Sequence, residues 1–166
     1  AITSVNDPPS AGGDVTVGAP GGGAVTVTAD TPAPAAANIR VAPTTLSDVE
    51  GPAPTSIRVM SVTGGSLLQG DGSALGLGAG GSILTLTGGG VDLRFTPTAN
   101  RDVDASFTYV VVDAANPGVN SVASTATIPI TPVNDAPTLG VSGGSASFVE
   151  NGGPVVVDGG ITVADI

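Results

Sequence analysis

Apolar residues alternate with Thr, Ser or charged residues in short runs along most of the chain. Val15-Thr16-Val17, residues 24–28 and residues 39–41 come first. Ser56-Ile57-Arg58-Val59-Met60-Ser61-Val62 then alternates up to Gly64-Gly65, and a period of two places Ile57, Val59 and Ser61 on one face. Residues 82–87 meet residues 91–96 across Gly88-Gly89-Gly90, a spacing that predicts a hairpin. Ser106-Phe107-Thr108-Tyr109-Val110-Val111-Val112 and residues 124–130 complete the series, with Tyr109 expected in the core. No window carries helical spacing, and the Gly and Pro spacing would break a helix. Seven or eight short strands separated by turns predict an antiparallel β-sandwich. Residues 64–81 read as a long Gly-rich surface connection.

A second pattern lies over the first. Ile2-Thr3-Ser4-Val5-Asn6-Asp7-Pro8-Pro9 recurs as Ile130-Thr131-Pro132-Val133-Asn134-Asp135-Ala136-Pro137, identical at six of eight positions and 128 residues apart. A weaker echo sets residues 45–50 against residues 161–166. This is the signature of a tandem array. The division it predicts is 1–7 as the end of a preceding repeat with its linker, 8–132 as a complete repeat, 133–137 as a linker, and 138–166 as the truncated start of the next. Both ends are expected to be cuts through a longer chain.

Composition narrows the function classes. Gly 26 and Pro 14 make up roughly a quarter of the 166 residues, near the range of disordered chains. The 40% hydrophobic share and the alternation argue for folding instead. Aromatic residues are only 2%, so Val, Ile, Leu and Ala must build the core. Four Arg and no Lys stand against 14 acids, a net charge of -10 that repels nucleic acid and anionic lipid. No apolar run approaches the roughly 18 residues of a membrane helix, so no membrane insertion is expected. The first residues lack the basic start of a signal peptide. Cys and His are both absent, which removes disulfides, thiolate sites and the commonest general base.

Residues 95–100 (Phe-Thr-Pro-Thr-Ala-Asn), 106–113 (Ser-Phe-Thr-Tyr-Val-Val-Val-Asp) and 125–137, ending in Val133-Asn134-Asp135-Ala136-Pro137, form an ordered series. It resembles the cadherin-like tandem repeats of large bacterial surface and RTX-type adhesins, over essentially residues 8–137 with a partial second copy. Residues 148–165 look like the opening of that copy. The resemblance implies an all-β, antiparallel Greek-key sandwich of cadherin or immunoglobulin type, exported to the cell surface. It also implies Ca²⁺ at the junctions between repeats. On this pattern the linker ligands are Asn6, Asp7, Asn134 and Asp135. Asp48 and Glu50 match the acidic pair at the upper junction, with Asp113 beside them. Asp102 and Asp104 match the lower pair, with Asp30 and Asp165 joining that group, and Glu150 matches the first-strand acid of the following repeat. Two features depart from the family. The complete repeat lacks a clear Glu-Asn on its first strand, and Thr131 and Pro132 stand where animal cadherins carry further linker acids.

Chemistry supports the implied ion only in part. Calcium takes six to eight oxygens, and Asp48 and Glu50, two apart in extended backbone, project to one side. With Asp113 and Asp7 they would form an anionic site needing a cation. The competing reading is a set of solvated acidic loops, with Asn6-Asp7-Pro8 making an Asx turn. Neither an EF-hand loop nor a tandem Gly-Gly-x-Gly-x-Asp repeat is present. An enzyme would have to rely on carboxylates, and Asp102 and Asp104, neighbours on a strand, cannot flank a sugar ring. With no Trp and one Tyr, a glycan platform is also unexpected. The expected function is therefore a non-catalytic, calcium-stiffened stalk or spacer of a surface adhesin. Its partners would be neighbouring repeats of the same chain. The alternatives are a self-assembling extracellular filament, sheath or surface-layer subunit, in which residues 1–5 complete a neighbour's sheet, and a passive module beside a secreted enzyme.

Overall fold

Wherever β-branched and aromatic residues alternate with polar ones, the backbone is extended. The computed structural model describes residues 5–30, 36–78 and 80–165. The chain divides into two compact units, Ala1–Val133 and Asn134–Ile166. Among the described residues every regular element is a strand, and no helix is long and apolar enough to cross a membrane.

The first unit contains β1 (Val15–Thr16), β2 (Val27–Thr28), β3 (Ala37–Val41), β4 (Ser56–Thr63), β5 (Gly65–Gln69), β6 (Ser82–Thr85), β7 (Val91–Pro97), β8 (Ala105–Val112), β9 (Ser124–Ile128) and β10 (Ile130–Thr131). Five of them form a sheet in the order β1-β9-β8-β4-β6, and three form a second in the order β3-β7-β5. Pairing is antiparallel except where the N-terminal strands run parallel to the last ones, β1 on β9 and β2 on β10. Pro129, which has no N–H, separates β9 from β10.

The inward residues of both sheets share one core. Ile39, Leu93 and Phe95 of the three-stranded sheet are buried in the same cluster as Ile57, Phe107, Tyr109 and Ile128 of the five-stranded one. This all-β arrangement is consistent with a sandwich. The rings of Phe107 and Tyr109 sit 6.2 Å apart and tilted by 50°. Tyr109 lies in the core as expected, with its hydroxyl 3.5 Å from the Gly13 carbonyl.

Three local expectations need correction. Residues 82–97 are not a hairpin. Thr87 and Gly90 do close a tight turn with reciprocal backbone bonds, but β6 then pairs with β4 and β7 with β3 and β5. The Gly-rich stretch 64–81 is not simply a loop, because it begins with β5. Gly65 permits this, since a Cβ there would lie 2.3 Å from the Thr96 carbonyl oxygen. Finally, the pairing of β4 with β8 shifts between Val59 and Ser61. This bulge at Met60 turns Ser61 outward, where its hydroxyl meets that of Thr108 at 2.6 Å, and turns Val62 toward the core.

Among the described residues the second unit contains one antiparallel pair, β11 (Thr138–Gly140) with β12 (Thr162–Ala164), and all six residues are exposed. Asp158 organises the segment between them. Its carboxylate accepts from the Ser142 N–H, the Ser142 hydroxyl and the Gly160 N–H.

Candidate functional site

Asp113 follows directly on the last residue of β8, and it is the only charged residue among the buried side chains described. One carboxylate oxygen accepts from the backbone N–H groups of Ala115 (2.7 Å) and Asn116 (3.1 Å). This Asx turn follows from an Asp placed directly after a strand. The other oxygen accepts from the Asn6 side-chain amide at 2.7 Å. The Asn6 amide is the largest cause holding the Asp113 pKa below its ordinary value; burial opposes the shift, and the two backbone donors assist it.

The next residue makes the second tie. The Asp7 N–H donates to the Glu50 carboxylate at 3.0 Å, with the carboxylate of Asp7 left exposed. Asp48 shapes the loop that presents Glu50, since its Oδ1 accepts from the N–H groups of Glu50 and Gly51, each at 3.0 Å. Three residues on, Ser10 pairs with Ser47 through an N–H to carbonyl bond of 2.8 Å, and Pro9 is buried. Residues 6–10 thus form a strap, tied to the end of β8 and to the 47–51 loop.

The structure therefore brings together Asn6, Asp7, Glu50, Asp48 and Asp113, but through N–H donors. The fit to a cation is partial. Asp48 Oδ2 is buried and lacks a hydrogen-bond partner, which suits a ligand oxygen. Asn6, however, turns its amide N–H groups toward Asp113. Among the described residues, no three Asp or Glu side chains gather closely enough to hold a metal ion. Calcium here would require Asn6 to rotate its carbonyl oxygen inward and the acids to close.

The lower group is used differently. Asp30, at a positive φ of 60°, accepts from the Asn100 N–H at 2.7 Å through Oδ1, while its Oδ2 is buried without a partner. Asp104 accepts from the Ile130 N–H at 3.0 Å, capping the strand end after Pro129. Asp102 is exposed. Asn134, Asp135 and Asp165 belong to the second unit; Asn134 and Asp165 are exposed and Asp135 half-buried. Glu150 is exposed beside the turn closed by Gly152 and Val149. Of residues 1–5, expected in the filament alternative to complete a neighbour's sheet, 1–4 lie outside the described residues.

Sequence reasoning missed that Asn6 and Asp7 act as donors. It also missed the Asx turn, although Asp113-Ala114-Ala115-Asn116 after a strand carries that signal. An open depression of about 610 Å³ beside the 18–23 loop is lined by no carboxylate or aromatic ring. Arg40, on its wall, is bound to Asp92 at 2.7 Å. Comparison with protein-family models, with curated proteins and with solved structures finds no match in any of the three.

Proposed function

We propose that this chain is a non-catalytic spacer from a tandem array of Greek-key, cadherin-like sandwiches in a secreted or cell-surface protein. In this reading the Asn-Asp dipeptide is the joint between modules, and Ca²⁺ stiffens it. The observation that carries the proposal is the strap: Asn6 and Asp7 tie to the buried Asp113 and to Glu50, and the same dipeptide recurs at Asn134-Asp135. A spacer needs its linker fixed to the body of a module, so that pulling or bending at the joint acts on folded structure. Two bonded residues anchored to a strand end and a loop do this. Calcium would be held by Asp48, Glu50 and Asp113, with Asn6 contributing its amide oxygen, and its two charges would offset the acids at the joint.

Titration of the full chain with Ca²⁺ by calorimetry, repeated on Asp48→Asn/Glu50→Gln, tests the ion. The proposal expects one binding event that the double substitution weakens at least tenfold. No heat, or heat unchanged by the substitution, would leave the joint held by hydrogen bonds alone.

A further inference from the structure

The sheet edges of the first unit are not alike. On the outer side of β3, Gly18 and Arg40 exchange backbone bonds of 2.9 and 2.7 Å. On the outer side of β5, the Gln69 N–H donates to the Ser73 carbonyl at 2.9 Å, and Leu68 pairs with Ala74. β1, at one edge of the five-stranded sheet, is only two residues long. β6, at the other edge, has neither protection. It pairs with β4 alone, and its Ser-Ile-Leu-Thr run holds no charge, no proline and no bulge.

The ladder to β4 sets which groups face outward. The Leu86 N–H donates to the Thr55 carbonyl at 2.8 Å, and bonded pairs alternate along antiparallel strands, so Leu84 and Ser82 also bond toward β4. The N–H and carbonyl groups of Ile83 and Thr85 therefore point away from the sheet. Among the described residues no backbone bond is made to them. Beside this edge lies a groove of about 400 Å³ lined by Leu84, Thr85, Val91, Gln69, Asp71 and Asp92, with no cation in its lining. Asp92 is bonded to Arg40, and Arg94 gives its Nε–H to the Gly70 carbonyl. Asp71 uses one oxygen, which accepts from the Ser73 N–H and hydroxyl at 2.8 and 2.7 Å.

We infer that the β6 edge accepts an extended segment of another protein, one that alternates apolar with polar residues and carries Arg or Lys where it reaches Asp71. Backbone bonds to Ile83 and Thr85 would hold the segment, and its apolar side chains would enter the groove against Leu84 and Val91. A second copy of this chain fits less well. Its own β6 brings no cation to Asp71, and each molecule carries a net charge of -10.

The probe is a short synthetic peptide of alternating Val and Thr with Arg at both ends, titrated into the isotope-labelled full chain and followed by NMR. Amide shifts should saturate and centre on Ile83, Thr85, Gly70 and Asp71. Two analogues, N-methylated at the Val or at the Thr positions, keep their side chains. The one that loses the N–H groups facing β6 should not bind, and the other should. Asp71→Asn, at an exposed position, should weaken the Arg peptide about two- to fivefold, the weight of an exposed ion pair. Shifts that do not saturate or centre elsewhere, two methylated analogues that both bind like the parent peptide, or an Asp71→Asn chain that binds it unchanged would overturn the inference. Shifts in β6 that appear with protein concentration alone would overturn it in favour of a second copy.

Discussion

Asp113 shows how a buried carboxylate is kept charged. Three N–H donors, one from Asn6, replace the water lost on burial, and the net result is a lowered pKa. A depressed acid contributes stability that is present above its unfolded value, 3.8, and is lost as pH falls through the lower folded value. Asn6→Ala should bring the folded pKa closer to the unfolded one. The variant should therefore melt lower than the parent at neutral pH, and the two melting curves should converge as pH drops below about 4. A difference that persists unchanged into acid would contradict the role given to Asn6. Gly65 offers an independent residue-scale test. Gly65→Ala would push a methyl into the Thr96 carbonyl and the Phe95 ring, and should cost about 1–3 kcal/mol in a denaturant titration.

Among the elements, strand existence was legible because Val, Ile and Thr alternate wherever one face is buried. Pairing was less so. The Gly88-Gly89-Gly90 turn has the composition of a hairpin turn, but nothing local says that Leu84 and Leu93 will be buried from different sheets. Only competition with β4 on one side, and with β3 and β5 on the other, separates the two strands. The bulge at Met60 was hidden for a related reason: polar Ser61 fits either face of an alternating pattern, and the shift shows only against β8. The family resemblance put Asn6 and Asp113 in one group with Asp7, Asp48 and Glu50 as calcium ligands, but the hydrogen bond between the two was not legible, since an Asn can present either donor or acceptor. Phe95, fully buried at the centre of the three-stranded sheet, should be the most costly truncation. Phe95→Ala is expected to lose about 3–5 kcal/mol, measured by equilibrium unfolding.

At the scale of the whole molecule, the two units differ in how they hold themselves together. The first has a shared core drawn from two sheets, while the second exposes Leu139, Phe148, Val156 and Val163 around a single strand pair. Hydrogen exchange should reflect this, with slow amides in β4, β7 and β8 and fast ones in β11 and β12. The Asn-Asp dipeptide occurs at Asn6-Asp7 and again at Asn134-Asp135, and in each copy the Asn amide donates to the carbonyl of the Asp that follows it. The proposed function turns on the Asn-Asp joint, and the sharpest check on it is a thermal melt of the full chain with calcium and with chelator. With calcium at about 100 times its dissociation constant, a calcium-stiffened joint should gain roughly 2.7 kcal/mol over the chelated chain, a rise of several degrees that Asp48→Asn/Glu50→Gln removes. Superimposable melts with calcium and with chelator would contradict a calcium-stiffened joint.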